Sequence, residues 1–256
     1  MAAIARISAC AAGVRAATVA KPTSALVARM AATAGSDSVD GWWHAPLGPA
    51  AYPQLAASCA VWAHDLERRA GGALHFPAGA EFLGSHLFWG KCRPRPAPHE
   101  GVDLCEVCEP TSAGGAGEPR PLPAGFGLLA VADGVVVAVF EDFVGRTVVM
   151  RHDHERVLGL GDGEPWPLHS LLAHVDLAEG IVPGASVLQA SSVPIAALAA
   201  SKTTVPPHVH LSLLAAPTSF PWASLGGWPD LLSFSARREV AFLEPPLMAL
   251  PQPQQT

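Results

Sequence analysis

The residues most able to do chemistry in this chain are histidines and one aspartate in two separated stretches. His99 and Asp103 are four residues apart, and His208 and His210 form a His-x-His far downstream. His174 lies between them in an apolar, strand-like run. Two histidines and one aspartate make a three-ligand set typical of catalytic zinc, which keeps its fourth position for water. Two further histidines would then remain to handle protons and charge.

The spacing within the two stretches suits a metal that is held by strands and turns. His99 and Asp103 are close enough in sequence to bind one ion from a strand or a turn. In an extended chain the side chains of His208 and His210 point to the same face, because side chains alternate with a period of two. One of them can bind a metal while the other faces a substrate. On a helix, residues two apart diverge, so the His-x-His favours a strand.

The composition excludes several classes of function. Half of the 256 residues are hydrophobic, which is enough for a sizeable core, while 24 glycines and 25 prolines indicate many turns. Only 15% of the residues are charged, the net charge is -6 and no basic block occurs. This argues against nucleic-acid binding, which needs clustered Lys and Arg. No apolar stretch reaches the roughly 18 residues of a membrane helix, so we expect no membrane span.

Beyond residue 76 the pattern predicts a mainly antiparallel β fold. Short runs rich in Val and Leu, bounded by Gly, Pro or Asp, are typical of strands. These runs are 125–132, 135–140, 147–151, 170–175, 186–190 and 208–214. Asp133-Gly134, between the first two runs, predicts a β-hairpin. The stretch 105–123 is rich in Gly, Pro and Glu and is predicted to be an inserted surface loop.

The domain organisation follows from shifts in composition. We place the β-rich domain at residues 76–220. Residues 1–36 carry Arg, Lys, Ser and many Ala without an acidic residue, which is typical of an organellar transit peptide and equally of a disordered leader. Export to the cell envelope is the other localisation left open. Residues 37–75 are predicted to form a short helical segment, and residues 221–256 a C-terminal extension with Pro and Trp.

The predicted helix is amphipathic. Apolar side chains recur at helical spacing before a Gly71-Gly72 stop. These side chains are Leu55, Cys59, Trp62 and Leu66. We expect this stripe to pack on the β-rich domain and assign it no chemistry.

Six ordered segments resemble the motifs of the M23 (LytM/lysostaphin-type) zinc endopeptidases. They run over roughly residues 80–215 and comprise 88–104, 132–136, 145–152, 171–175, 182–187 and 207–211. The 98–104 stretch, Pro-His-Glu-Gly-Val-Asp-Leu, is similar to the first motif of that family. The 207–211 stretch, Pro-His-Val-His-Leu, is similar to its last. The resemblance implies an antiparallel β-sheet or sandwich of the M23 (LytM-like) type, preceded by the N-terminal helical segment.

The resemblance also implies roles for five residues. His99, Asp103 and His210 would hold Zn2+. His174 and His208 would be the two histidines of the site that are not ligands, and they would orient or deprotonate the attacking water and stabilise the oxyanion. The substrate implied is a short peptide, often containing glycine or D-amino acids, and usually a peptidoglycan cross-link.

Two other functions compete with a peptidase. One is a non-catalytic binding or regulatory module that retains the M23-like fold and the metal, and the other is a metal-independent β scaffold. Degenerate relatives lose ligands or the two extra histidines, whereas all five positions are filled here, which favours the enzyme. The chain departs from the family at Leu172, where a Tyr is usual, and in the 105–123 insertion, which would reshape the groove. The oligomeric state stays open.

The cysteines and the other histidines receive no role in catalysis. Cys105 and Cys108 form a Cys-x-x-Cys beside Asp103. A disulfide or two free thiols is favoured there over a redox pair or half of a zinc site with Cys92. A second His-x-His, in 152–154, is kept as a further metal-binding candidate. The remaining histidines are expected to be ordinary surface or core residues, namely His44, His64, His75, His86 and His169.

Overall fold

The computed structural model describes residues 42–110, 116–161, 163–201 and 204–249. The leader predicted at 1–36 lies outside these residues. The described ranges contain two α-helices, α1 (Pro53–Ala70) and α2 (Trp228–Ala236). They also contain twelve strands: β1 (Ala73–His75), β2 (Val102–Leu104), β3 (Glu106–Pro110), β4 (Ala116–Pro121), β5 (Gly127–Leu128), β6 (Gly134–Glu141), β7 (Arg146–Val157), β8 (Trp166–Leu177), β9 (Ser186–Val187), β10 (Ala196–Leu198), β11 (Val209–Ala215) and β12 (Ala241–Leu243).

Two antiparallel sheets are formed by these strands. The larger sheet has the order β12-β11-β8-β7-β6-β9, with β2 paired to β11, and β10 paired to both β8 and β5. The smaller sheet has the order β1-β3-β4. Short 3-10 turns occur at Pro49–Ala51, Trp222–Ser224 and Pro246–Ala249. The predicted mainly antiparallel β fold with an N-terminal helix is therefore confirmed.

The larger sheet is covered on both faces. On one face α1 buries Leu55, Trp62 and Leu66 in a core that includes Leu172 of β8. On the other face the C-terminal segment forms a second core around Phe242. Every residue of β11 is buried as a result, and so are the first ten residues of β8. Strands buried on both faces have nearly continuous apolar runs, which is what the sequence has at these two strands.

The helix predicted from apolar spacing is confirmed as α1. It ends at Gly71, whose φ of 74° lies in the left-handed region that favours glycine. At its other end Glu155 of β7 accepts hydrogen bonds from the backbone N–H groups of Gln54 and Leu55, at 3.0 and 2.7 Å. A buried carboxylate on the sheet thus caps the first turn of the helix, where backbone donors lack partners within the helix.

The prediction of a surface loop at 105–123 is wrong. This stretch forms β3 and β4, which pair with each other, and β3 also pairs with β1. Cys105, Val107 and Leu122 are buried, while the Glu and Pro residues that suggested a loop are mostly exposed. Proline is tolerated in β4 because an edge strand need not donate every backbone hydrogen bond.

The hairpin predicted at Asp133-Gly134 is also wrong. β5 pairs with β10, whereas β6 pairs with β7 and β9. The apolar residues between β5 and β6 instead lie beneath α1, where Trp62 donates its indole N–H to the backbone carbonyl of Leu129 at 2.9 Å. Burial against the helix therefore explains the apolar run that the sequence pattern assigned to a hairpin strand.

The cysteines of the described residues are free thiols. Cys59, Cys105 and Cys108 are buried and Cys92 is exposed. Burial raises the pKa of Cys59 to about 12 and also raises the pKa of Cys105 and of Cys108. These buried thiols stay protonated near neutral pH and are poor nucleophiles. Of the alternatives for the Cys-x-x-Cys, the structure has the two free thiols.

The C-terminal residues of the described chain contribute α2 and β12. β12 pairs with β11, and residues 43–45 exchange backbone hydrogen bonds with Phe242. The domain boundaries placed between 75 and 76 and between 220 and 221 stay predictions. Neither helix of the described residues is both long and apolar enough to cross a membrane.

His152 of β7 is a buried histidine held in its neutral form. Its Nδ1–H donates to the Asp133 carbonyl at 2.8 Å, and its Nε2 accepts from the Ser170 hydroxyl at 2.9 Å. Burial lowers the pKa of His152 to about 4. His152 therefore becomes protonated at a lower pH in the folded chain than in the unfolded chain.

We expect this difference to make the free energy of unfolding decrease as the pH is lowered. Between pH 6.5 and 4 the unfolded chain carries the proton and the folded chain does not, which costs about 3 kcal/mol across that window. Urea unfolding of the parent and of His152→Gln at several pH values in this range would measure the effect. The variant should lose part of the pH dependence even if it is less stable throughout. Identical slopes for the two proteins would contradict the prediction.

Candidate metal centre

His99, Asp103 and His210 are brought together by strand pairing and one adjoining loop. Asp103 of β2 is the direct cross-strand partner of His210 of β11, so their side chains share a face. His99 lies in the loop between β1 and β2, four residues before Asp103. One donor atom from each of the three residues lies within 4.8 Å of the others. All three side chains are buried.

The outer nitrogen of each histidine is hydrogen-bonded, so that the inner nitrogen faces Asp103. His99 donates Nδ1–H to the Glu81 carbonyl at 2.9 Å, and its Nε2 lies 3.2 Å from Asp103 Oδ2. His210 Nε2 is bonded to the Ser212 hydroxyl at 2.8 Å, and its Nδ1 lies 2.9 Å from Asp103 Oδ1. Two imidazole nitrogens and a carboxylate that converge in this way fit a divalent ion such as zinc, and the outer bonds fix each ring.

The protonation states of Asp103 and His210 also suit metal binding. Burial by itself would raise the pKa of Asp103, but the imidazoles of His99 and His210 hold it well below its usual value. Arg95 adds a hydrogen bond from Nη2 to Asp103 Oδ2 at 3.0 Å. Burial lowers the pKa of His210. An ionised carboxylate and neutral imidazoles are the forms that bind metals.

Gly101, between His99 and Asp103, lets the chain pass close to β11. A Cβ atom at this position would lie 2.4 Å from the Leu211 carbonyl oxygen and 2.6 Å from His210 Nε2. It would also lie 2.7 Å from Ser212 Oγ. Only a residue without a side chain fits between His99 and Asp103 at this distance.

His174 reaches the same face through a β-bulge in β8. In the pairing with β7, Thr147 stands opposite two residues, Ala173 and His174, where a regular ladder would have one. Leu172 and Val175, on either side of the bulge, both belong to the core beneath α1. In a regular strand His174 would face the same way as Leu172. The bulge turns it to the opposite face, with its ring centroid 6.1 Å from that of His210.

The bulge gives His174 a φ of 64°, in the left-handed region. This conformation costs a residue other than glycine about 1–2 kcal/mol. We therefore expect His174→Gly to be more stable than His174→Ala by about 1 kcal/mol, because both lose the same imidazole contacts but only glycine escapes the strain. Urea unfolding of the two variants without added metal would measure this difference.

The neighbouring bulge residue provides the control. Ala173 does not have a positive φ, so Ala173→Gly should be less stable than the parent by about 0.5–1 kcal/mol. Equal stability of the two His174 variants would show that the backbone there is not held in the left-handed conformation.

His208 lies beside His174, with 4.6 Å between the ring centroids. Its Nδ1–H donates to the Pro206 carbonyl at 2.9 Å, which leaves a lone pair on Nε2, 3.9 Å from Asp103 Oδ1. Burial lowers the pKa of His208 to about 4. The imidazole is therefore neutral near pH 7 and accepts hydrogen bonds through Nε2.

The five predicted site residues line one cavity of about 490 Å3. Its walls are Trp89 and Arg95 from the loop between β1 and β2, Phe143 from the β6–β7 loop, and Trp228 and Leu232 from α2. The Trp228 ring stands almost perpendicular to the His210 ring, at 5.2 Å between centroids. Aromatic walls with a few converging polar groups are typical of small-molecule and cofactor sites.

The second predicted His-x-His does not form a metal site. Both nitrogens of His152 are already hydrogen-bonded, and His154 is exposed. In the part of the chain that the structure describes, the group of His99, Asp103 and His210 is the one set of three such donors that converges.

Sequence reasoning missed Asp142, which is bonded to the His174 ring, and four further residues that support the site. Ser212 could have been found from the sequence, because it lies two residues after His210 on a predicted strand and therefore shares its face. Gly101 gave a weaker signal, as a glycine between two candidate ligands. Arg95 and Trp228 gave none, since their places at the cavity depend on how a loop and a helix pack.

Comparisons with known proteins give a match at the level of structure alone. No protein-family model matches the chain, and no curated protein matches it. The catalytic domain of the antimicrobial peptidase lysostaphin from Staphylococcus simulans is 14% identical, with 67% of this chain and 97% of that chain covered and a TM-score of 0.37.

Two further solved structures match in the same way. LytU is 17% identical, with 58% of this chain and 82% of that chain covered and a TM-score of 0.34. The catalytic domain of the prophage-encoded M23 protein EnpA from Enterococcus faecalis is 16% identical, with 55% and 85% covered and a TM-score of 0.31. The structure of this chain thus matches M23 peptidase catalytic domains at low sequence identity.

Proposed function

We propose that this protein is a zinc-dependent endopeptidase that hydrolyses short peptide bonds of peptidoglycan-type cross-links. The observation that carries the proposal is the buried convergence of His99, Asp103 and His210 in a cavity that His174 and His208 also line. Three protein donors leave a position open, as catalytic zinc sites do. The resemblance of the motifs to those of M23 endopeptidases supports the choice of substrate class.

His99, Asp103 and His210 would hold the metal through the atoms that already face one another. Zinc in such a site acts as a Lewis acid and lowers the pKa of bound water towards 7. Arg95 balances the charge of Asp103 from the cavity side. Glu81 and Ser212 fix the rings of the two histidines from the outside.

His174 and His208 would have different roles, proton transfer for His174 and orientation of the attacking water for His208. His174 presents Nε2 to the cavity, since Nδ1 is bonded to Asp142 at 3.1 Å, and it would accept a proton from the attacking water and pass it to the leaving amine. The neutral His208 would orient that water through its Nε2 lone pair. The aromatic walls would hold the peptide and limit the access of bulk water.

The zinc content of the purified full-length protein tests the proposal first. One zinc per chain is expected in the parent and little or none in His99→Ala and His210→Ala. His152→Ala, which removes a buried histidine of the same sheet outside the cavity, should keep its zinc. The parent should then cleave peptidoglycan or glycyl peptides, lose this activity with a chelator and regain it with zinc.

The outcomes separate the two leading functions. A folded parent without zinc would overturn the proposed metal site. A parent with zinc that cleaves none of these peptides would overturn the endopeptidase and leave a metal-containing binding module.

A further inference from the structure

Asp142 is a buried carboxylate in the loop between β6 and β7, next to the cavity. Its side chain is 0% exposed. It accepts five hydrogen bonds, from Val144 N at 2.9 Å, Gly145 N at 2.8 Å, Thr147 Oγ1 at 2.9 Å, His174 N at 2.9 Å and His174 Nδ1 at 3.1 Å. A carboxylate that accepts this number of hydrogen bonds holds the donor groups around it in fixed positions.

Two of these bonds go to His174, one to its backbone and one to its ring. The first holds the residue at the bulge, where its φ of 64° is strained. The second has one possible direction, because the carboxylate can only accept. Burial would raise the pKa of Asp142, but the bond from His174 and the backbone donors hold it below its usual value, so the group stays ionised.

The direction of the ring bond decides whether the nitrogen that faces the cavity, Nε2, carries a proton or a lone pair. With the proton on Nδ1, the neutral imidazole has its lone pair on Nε2. The opposite tautomer would present an N–H to the cavity and could not take a proton there. A residue that fixes tautomer and orientation in this way serves a general base without touching the substrate.

We propose that Asp142 is the positioning residue for His174. It holds both the strained backbone and the ring, so that Nε2 presents a lone pair to the cavity. The catalytic consequence rests on the proposed peptidase function, whereas the tautomer of His174 is a property of the folded protein with or without activity.

The tautomer can be measured directly by 15N NMR on the purified protein with labelled histidine, with zinc added and without it. The His174 signal is assigned by its loss in His174→Gln. The neutral ring of His174 should show a protonated Nδ1 and an unprotonated Nε2. A proton on Nε2 would overturn the proposal. This measurement needs no variant at Asp142 and no substrate, so a failure of the proposed peptidase function would not affect it.

A graded pair of variants tests the consequence for catalysis. Asp142→Asn keeps one oxygen that can accept from Nδ1, whereas Asp142→Ala keeps none. We expect kcat to fall in the order parent, Asn, Ala, with a loss of about 100-fold or more for Ala, an unchanged zinc content and a nearly unchanged KM. In Asp142→Ala the tautomer with Nε2–H should also appear in the NMR spectrum.

Glu155→Gln is the matched control. Glu155 of β7 is also a buried carboxylate that accepts two backbone N–H bonds, but its bonds go to the first turn of α1, away from the cavity. This variant should lose stability without a change in kcat or in the tautomer of His174. If Asp142→Ala behaves like Glu155→Gln, Asp142 has only a structural role and the proposal fails.

Discussion

The His208→Ala protein is expected to bind one zinc per chain and to lose peptide hydrolysis by about 100-fold or more, which is the usual contribution of a group that handles protons or orients water. His208 lies against Asp103 at 3.9 Å through Nε2, but it is not one of the three converging donors. Its loss should therefore affect the chemical step and leave the metal in place. Zinc content and kcat, measured on the same preparation, check both halves of this prediction.

His152→Ala provides the comparison for this result. It removes another buried histidine of the larger sheet, whose bonds go to Asp133 and Ser170 rather than into the cavity. It should keep both zinc and activity per folded molecule. Full activity in a zinc-loaded His208→Ala protein would contradict the mechanism proposed for the two non-ligand histidines.

Replacing Gly101 by alanine should damage both stability and the metal site. The added methyl group would lie within 2.7 Å of Leu211 O, His210 Nε2 and Ser212 Oγ, so β2 and β11 would have to move apart. Such overpacking costs about 1–3 kcal/mol, and the shift would separate Asp103 from His210. We expect a lower urea midpoint and a strongly reduced zinc affinity, measured by competition with a chelator.

Gly48→Ala serves as the control for this substitution. A Cβ atom at Gly48 meets nothing within 4 Å, and its φ of -75° suits any residue. Its stability should stay within about 0.5 kcal/mol of the parent. Unchanged stability and zinc affinity in Gly101→Ala would mean that the two strands do not approach each other as closely as the structure has them.

Local spacing predicts which candidate ligands lie together within each stretch, whereas the meeting of the two stretches is implied only by the resemblance to the M23 motifs. His99 and Asp103 are close in the chain, and His208 and His210 share a face in any extended strand. The apolar runs of β8 and β11 indicated buried strands, and the stripe of α1 indicated a helix. Each of these signals depends on residues that are near in sequence, so a pattern of period two or 3.6 detects it.

The features that sequence reasoning missed depend on tertiary packing. The bulge at His174 leaves no mark in the alternation of β8, because one extra residue is visible only against the register of β7. Asp142 looks like an ordinary loop acid until the fold buries it. The 105–123 stretch has the composition of a loop. Its pairing with β1 depends on the burial of Val107 and Leu122 in the core, which the composition does not indicate.

The long separation of the site residues has a consequence for the order of events in folding. Asp103 and His210 are 107 residues apart, and the Trp43 backbone N–H is bonded to Ser235, 192 residues away. Folding slows as such distant contacts come to dominate, because long loops must close before they gain any stability. We therefore expect Asp103 and His210 to meet late in folding, when β2 pairs with β11. If the proposed site takes up zinc, its uptake during refolding is expected to follow the pairing of these two strands.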